Sequence, residues 1–270
     1  MMLTTLMTSP TNNYMRKRKN RTTNTKLKMK SSYSIYKEET LNNEEKKGEE
    51  EDVLADAILK NGKVTRIAHS LLRSCIREDD IVVDLTLGNG TDTMLFLELI
   101  NSRKGSIFSF DIQREAIEVT KTRIREGHTS KNKEKRVHFI QDCHSKFYSH
   151  ITRIINSRIS TDDDDDDARA RTKIELGAVT LNLGYLTGKE TDKSIVTRTE
   201  TTIKAIEQAS ELLRVGGIMT ICCYQAHEGG KEETDAVIEF CSKLKPEITV
   251  SKINVINRAA PVLICCYRQR

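Results

Sequence analysis

From Gly62 onward, short β-rich runs alternate with segments of helical periodicity. Strands that alternate with helices pair in parallel, because each helix carries the chain back across the sheet in a right-handed crossover. The pattern therefore predicts an α/β fold, with a doubly wound sheet covered by helices on both faces. Five parallel strands are expected, at Ile81–Leu85, Ser106–Asp111, Val137–Gln141, Leu176–Asn182 and Ile218–Tyr224.

The predicted helices carry apolar residues at spacings of three and four, which gives each helix one apolar face. In the first helix this face consists of Val64, Ile67, Ala68, Leu71, Leu72 and Ile76. A turn is expected at Gly216–Gly217, before the fifth strand. Further helices are predicted at Thr91–Ile100, Arg114–Arg125, Ser145–Asn156, Thr199–Leu213 and Glu232–Leu244.

The chain ends in two more β-rich runs, Thr249–Ile256 and Val262–Arg268. The link between them is far shorter than the dozen or so residues that a parallel crossover needs. They should therefore form an antiparallel hairpin at one edge of the sheet. A dinucleotide-dependent oxidoreductase would instead continue with another strand–helix–strand unit, so this ending disfavours that class.

Three segments fall outside this pattern. Residues 1–37 contain nine Lys or Arg and no acidic residue, which is a composition typical of a transit peptide. The alternatives are a disordered basic tail, a nuclear-type basic cluster and an RNA-binding arm. Residues 38–60 read as an acidic linker. Residues 160–172, with the run Asp162–Asp167, read as a disordered surface insertion, which leaves 61–270 for the folded domain.

Composition excludes some classes of protein. No apolar run approaches the roughly 18 residues that a membrane span needs, so a membrane protein is not expected. The seven cysteines include no CxxC pair, and two doublets, Cys222-Cys223 and Cys265-Cys266, fall in predicted strands. We therefore interpret the cysteines as reduced core residues of a protein in a reducing compartment, and predict no metal site.

A ligand of such a sheet binds beyond the carboxyl ends of the strands. The turn after the first strand contains Gly88 and Gly90 but lacks the third glycine of a dinucleotide fingerprint. Asp111 ends the next strand, about 20 residues further on, where a carboxylate can accept hydrogen bonds from both ribose hydroxyls. Asp142 ends the third strand at a position suited to an adenine amino group. A helix N-cap is the alternative role for each acid.

Five motifs follow one another along the domain. They are Asp84-x-Thr86-x-Gly88-Asn89-Gly90-x-Asp92-Thr93, Phe110-Asp111-Ile112-Gln113, Asp142-x-His144, Asn182-Leu183-Gly184-Tyr185-Leu186 and Tyr224-x-x-His227-x-Gly229-Gly230-x-x-Glu233. In these motifs the chain closely resembles the tRNA 5-aminomethyl-2-thiouridine methyltransferases, once labelled "putative rRNA methylases", which are class I methyltransferases. The resemblance covers nearly the whole domain. Thr91 replaces a usual histidine, Thr187 replaces a usual proline, and the aspartate run is an addition.

The resemblance implies an enzyme that uses S-adenosylmethionine to methylate the 5-aminomethyl group of a wobble uridine in the anticodon stem-loop of tRNA. Two alternatives stay open: a methyltransferase acting on rRNA or another acceptor, and a noncatalytic RNA-binding protein of the same fold. The sequence also leaves open whether the chain works alone or as a homodimer, and whether it is organellar or cytoplasmic. The implied cofactor-binding residues are Asp84, Thr86, Gly88, Asn89, Gly90, Asp92, Thr93, Asp111, Gln113, Asp142 and His144.

Three residues are predicted to act on the acceptor. Asn182 ends the fourth strand, where its carbonyl group could accept a hydrogen bond from an amine, and Tyr185 could stack on a flipped base. His227 could take the amine proton or contact a substrate phosphate. The alternatives are a strand-end turn for Asn182, a core aromatic for Tyr185 and an ordinary loop histidine for His227.

Overall fold

The computed structural model describes residues 58–59, 63–127, 135–159, 173–188 and 191–270. The predicted basic tail, nearly all of the acidic linker and the acidic insertion lie outside the described residues. Within the described part of the chain, no helix is long and apolar enough to cross a membrane.

Seven strands form one sheet, in the spatial order β3-β2-β1-β4-β5-β7-β6. Strands β1 to β5 are parallel, and β7 is antiparallel to both of its neighbours, β5 and β6. The doubly wound sheet with an antiparallel C-terminal pair is thus confirmed. The strands are β1 Ile81–Asp84, β2 Ser106–Asp111, β3 Val137–Gln141, β4 Leu176–Leu183, β5 Leu213–Cys223, β6 Ile248–Ile253 and β7 Val262–Arg268.

Among the described residues, six helices cover the two faces of the sheet. Neighbouring residues of a strand point to opposite faces, so Val82 packs with residues of the first three helices, whereas Val83 packs with residues of the last three. A single 3-10 turn, His144–Lys146, precedes the fourth helix. The helices are α1 Val64–Cys75, α2 Thr91–Leu99, α3 Arg114–Glu126, α4 Phe147–Ile159, α5 Thr199–Leu212 and α6 Gly230–Ser242.

Strand β5 begins earlier than the sequence predicts. The glycine pair expected to form a separate turn lies inside the strand, where the pairing with β4 shifts between Leu213 and Ile218. Gly216 has a φ of +75°, and a Cβ on Gly217 would lie 2.8 Å from the carbonyl oxygen of Leu176. The glycines therefore form an irregularity within a paired strand, which sequence alone does not distinguish from a turn.

A buried ion pair joins the amino-terminal ends of β1 and β5. Arg214 donates from Nε and from Nη2 to the two carboxylate oxygens of Asp80, each at 2.6 Å, and from Nη2 to the carbonyl oxygen of Cys75 at 2.9 Å. Both side chains are nearly inaccessible to solvent. The pair lies at the edge of the sheet opposite the carboxyl ends, where a ligand would bind.

Candidate active site

A cavity of about 640 Å³ lies at the carboxyl ends of the parallel strands. The segments that follow β1 to β5 form its walls. Strand β1 lies between β2 and β4, so the order of the strands changes direction beside it. This is the switch point at which doubly wound folds bind ligands. Eleven of the fourteen predicted site residues line the cavity: Thr86, Gly88, Asn89, Asp92, Asp111, Gln113, Asp142, His144, Asn182, Tyr185 and His227.

The turn after β1 brings the backbone close to this cavity. Gly88 and Gly90 have φ values of +50° and +73°, a region that favours glycine. A Cβ on Gly90 would lie 2.4 Å from the side chain of Thr120 on α3, so a larger residue would not fit. Gly90 is the N-cap of α2 and offers no side-chain acceptor. The first N–H groups of α2 therefore remain available to a ligand.

Asp84, Gly90 and Thr93 do not line the cavity, which corrects the prediction that they contact the cofactor directly. Asp84 is fully buried and accepts hydrogen bonds from Thr93 Oγ1 at 2.8 Å and from the Thr86 N–H at 3.3 Å. Burial, and to a lesser degree the charge of Asp92, raises the pKa of Asp84 to about 8. Asp84 and Thr93 therefore stabilise the turn without lining the cavity.

Asp111 joins the turn after β1 to the turn after β2. Its two carboxylate oxygens accept N–H groups from Gly88 and Gln113, each at 2.9 Å. Burial raises the pKa of Asp111. Because a carboxylate oxygen can accept more than one hydrogen bond, both oxygens can still receive a ligand hydroxyl. The geometry is therefore compatible with the predicted ribose contact.

Asp142 and His144 form the wall beyond β3. Asp142 accepts hydrogen bonds from Lys146 and His150, each at 2.9 Å, and these lower the pKa of Asp142 to about 2. Burial lowers the pKa of His144 to about 4, so its imidazole is neutral at physiological pH. The Nε2 atom of His144 is buried and has no hydrogen-bond partner among the described residues. No described protein group therefore satisfies this nitrogen.

Asn182 is held in one orientation at the end of β4. Its Nδ2 donates to Asp92 Oδ2 at 2.7 Å, and Asp92 Oδ1 accepts a hydrogen bond from His69 Nε2 at 2.6 Å. The main-chain N–H of Asn182 donates to Thr86 Oγ1 at 2.6 Å. Because Nδ2 is directed at Asp92, the amide oxygen points away from that carboxylate and can accept a hydrogen bond from a ligand in the cavity.

Tyr185 and His227 face each other at the other side of the cavity. Their rings meet edge to face with centroids 6.0 Å apart, and Lys193 Nζ lies 5.8 Å from the centre of the Tyr185 ring. His227 Nδ1 donates to the carbonyl oxygen of Glu228 at 3.0 Å, because a carbonyl oxygen can only accept. Nε2 of a neutral His227 is therefore an acceptor, and it has no partner among the described residues.

Four contacts that support the site were not predicted. Glu233, nearly fully buried on α6, accepts hydrogen bonds from Thr197 Oγ1 and Thr202 Oγ1, each at 2.7 Å. Thr197 in turn accepts the main-chain N–H of Gly184 at 2.9 Å. Glu233 belongs to the last motif, which signalled its importance but not its role. The His69 contact left no signal, because 23 residues separate His69 from Asp92.

Thr187, which replaces the usual proline, takes part in the site. Asn89 Nδ2 donates to both the carbonyl oxygen and Oγ1 of Thr187, each at 2.9 Å. A proline would lack the hydroxyl group. The substitution therefore adds a hydrogen bond between the turn after β1 and the segment after β4.

Comparisons with known proteins show the family. The sequence model of the family described as "Putative rRNA methylase" matches residues 107–268. The chain belongs to this family. It is also 32% identical over 225 residues to the "tRNA (mnm(5)s(2)U34)-methyltransferase, chloroplastic" of Arabidopsis thaliana, an alignment that covers 81% of this chain and 74% of the relative. The enzyme is thus a methyltransferase that depends on S-adenosylmethionine.

Solved structures extend the comparison to the fold. A "putative rRNA-methylase" from Clostridium thermocellum is 32% identical, with a TM-score of 0.61 over 76% of this chain and 97% of that one. A "putative methyltransferase" from Streptococcus mutans, solved in complex with SAH, is 24% identical, with a TM-score of 0.59 over 76% of this chain and 98% of that one. Both have the fold described above.

The residues present fit the cofactor. A glycine turn at the start of α2, a carboxylate at the end of β2 and an unpartnered imidazole beyond β3 lie on one wall of one cavity. These groups match, in order, an amino-acid moiety, a ribose and a purine. Gly88 would lie against the amino-acid part of the cofactor, and Asp111, Asp142 and His144 would hold the adenosine part.

Proposed function

We propose that this enzyme methylates the primary amine of 5-aminomethyl-2-thiouridine at the wobble position of tRNA. The observation that carries the proposal is the hydrogen bond from Asn182 to Asp92, which leaves the Asn182 amide oxygen to accept an amine N–H in the cavity. The name of the Arabidopsis relative, a tRNA (mnm(5)s(2)U34)-methyltransferase, supports the same acceptor. We also propose that the anticodon stem-loop is the part of tRNA that the enzyme binds.

The residues at the ends of β4 and β5 have different roles in the proposed reaction. When bound, S-adenosylmethionine supplies the methyl group in an activated form. An amine can accept that group only with its lone pair free, so it must first be neutral. The Asn182 oxygen orients the amine by accepting one of its N–H groups, and the apolar wall of Leu183 and Leu186 excludes water, which disfavours the charged ammonium form. The enzyme contributes chiefly by positioning.

We propose that His227 takes the proton that the methylated amine must lose, once its ring turns Nε2, which is buried in this structure, toward the cavity. Its Nδ1–H is held by the carbonyl oxygen of Glu228, so the lone pair of the neutral ring is on Nε2. Nε2 lies close to the backbone at Gly184, because a Cβ built there would be 3.5 Å away. Tyr185, which is partly exposed, offers a ring on which a flipped uridine can stack.

We infer an organellar location for the enzyme. Residues 1–37 have the composition of a transit peptide, and the Arabidopsis relative is chloroplastic by its name. A fusion of residues 1–60 to a fluorescent protein is expected to enter plastids or mitochondria. A cytosolic or nuclear fusion protein would contradict the inference.

The experiment that tests the acceptor uses purified enzyme, S-adenosylmethionine and tRNA that carries 5-aminomethyl-2-thiouridine. Mass spectrometry of the digested nucleosides is expected to show one added methyl group on that nucleoside and none on tRNA that lacks the aminomethyl group. Ribosomal RNA serves as the competing substrate. Methyl groups found in rRNA, with the tRNA nucleoside unchanged, would overturn the assignment while leaving the methyltransferase activity in place.

A further inference from the structure

His69, Asp92 and Asn182 form a continuous line of side chains that ends at the cavity. His69 lies on α1, Asp92 in the first turn of α2 and Asn182 at the end of β4. The two hydrogen bonds that join them are 2.6 Å and 2.7 Å long. Asp92 and Asn182 line the cavity, whereas His69 does not, so His69 can affect a bound substrate only through Asp92.

We propose that His69 is a positioning residue for the methyl acceptor: by its hydrogen bond to Asp92, it fixes which atom of the Asn182 amide faces the substrate. The proposal rests on the role assigned to Asn182 in the proposed function. It assigns to α1 a part in the reaction, although α1 precedes the segment that matches the family.

The argument begins with Asp92. This carboxylate is 8% exposed, and a buried carboxylate is stable only when both of its oxygens receive hydrogen bonds. Oδ1 receives one from His69 and Oδ2 receives one from Asn182. Without the imidazole, Oδ1 has lost the donor that satisfies it, and the carboxyl group can rotate or take up a proton to compensate.

Either change releases the Asn182 amide. The two ends of an amide are similar in shape, so only the hydrogen-bond partner of Nδ2 decides whether the oxygen or the nitrogen is left for the cavity. If Asp92 rotates or becomes protonated, the amide can flip. An NH2 group would then face the N–H groups of the acceptor amine, and donor would meet donor. His69 thus maintains the acceptor character of the site.

The test compares His69→Phe with His69→Gln, because glutamine keeps an N–H donor at the end of its side chain. His69→Phe is expected to lower kcat roughly ten- to a hundredfold, the loss typical of one hydrogen bond to a charged group. Affinity for S-adenosylmethionine, measured by calorimetry, should stay within about twofold, and His69→Gln should recover most of the rate. Arg73→Gln, on the same helix but paired with exposed Glu98, is the matched control and should have the wild-type kcat.

A second readout does not depend on activity or on the identity of the acceptor. The side-chain NH2 resonances of Asn182, identified by their loss in Asn182→Ala, should move in His69→Phe and return toward their wild-type positions in His69→Gln. In the Asn182→Ala background, His69→Phe should change the residual rate by less than about twofold.

The proposal is overturned if the Asn182 resonances stay unchanged in a folded His69→Phe protein, or if the rate loss is the same with and without Asn182. Should His69→Phe not fold, the same comparison is made with His69→Leu and His69→Gln. If wild-type enzyme does not methylate the tRNA while the resonances move as expected, the proposed acceptor fails and the positioning role survives.

Discussion

At the scale of single residues, Asp111 is the carboxylate on which cofactor binding should depend most. Asp111→Ala removes the acceptor that we propose for both ribose hydroxyls, and the hydrogen bond that joins Gly88 to β2. We expect affinity for S-adenosylmethionine to fall about a hundredfold or more, because hydrogen bonds to charged groups are lost. Calorimetry measures this, with Asp235→Asn on the exposed side of α6 as control. An unchanged affinity in a folded Asp111→Ala protein would remove Asp111 from the site.

The site residues that lie within one turn could be predicted from the sequence. The contacts between helices that are distant in the sequence could not. Gly88 and Gly90 stand out because their backbone conformation requires glycine, and Asp111 stands out by its place after a strand. Asp84 and Thr93 were assigned to the ligand, yet they lie behind it, since sequence does not show which face of a turn a side chain takes. His69 meets Asp92 only because α1 packs beside α2.

At the scale of elements, the ion pair of Asp80 and Arg214 joins the ends of α1, β1 and β5. Arg214→Met should destabilise the fold by about 3–5 kcal/mol, because it leaves a buried carboxylate without its partner. Urea denaturation measures the change. Glu239→Gln breaks an exposed pair on α6 and should leave the free energy of unfolding almost unchanged. Equal effects of the two substitutions would contradict this account of the pair.

Strand ends could be predicted where turn residues flank a run of apolar or aromatic residues, as at β2, β3 and β7, whose bounds match the prediction. The order of the last two strands in the sheet could also be predicted from the sequence. In β7, Val262–Cys266 is apolar without interruption, as suits an inner strand, whereas β6 alternates in burial, as suits an edge. The irregular start of β5 could not be predicted from the sequence, because a glycine pair more often marks a turn than a bulge.

At the scale of the whole molecule, the raised pKa of Asp84 predicts how stability depends on pH. In the folded chain Asp84 holds its proton up to about pH 8, whereas in the unfolded chain it ionises near its ordinary value of 3.8. Between these values the folded chain binds one more proton, so a rise in pH favours unfolding. His144, whose pKa is lowered to about 4 by burial, acts in the opposite direction below pH 6.5.

Asp84→Asn isolates this effect, because asparagine does not titrate. The free energy of unfolding of the wild type, minus that of Asp84→Asn, should fall by about 1.4 kcal/mol per pH unit between about pH 5 and 7. Urea denaturation at several pH values, without cofactor, measures the difference. Parallel curves for wild type and Asp84→Asn would show that Asp84 is ionised in the folded protein.

The central claim is that the ends of β1 to β3 bind the cofactor and that the end of β4 acts on the acceptor. The most direct test is single-turnover methylation of tRNA containing 5-aminomethyl-2-thiouridine by Asn182→Ala, together with calorimetry of its cofactor affinity. The account predicts a rate lowered about a hundredfold or more, with cofactor affinity within about twofold of wild type, because only transition-state positioning is lost. A wild-type rate, or a rate loss explained by weaker cofactor binding, would contradict it.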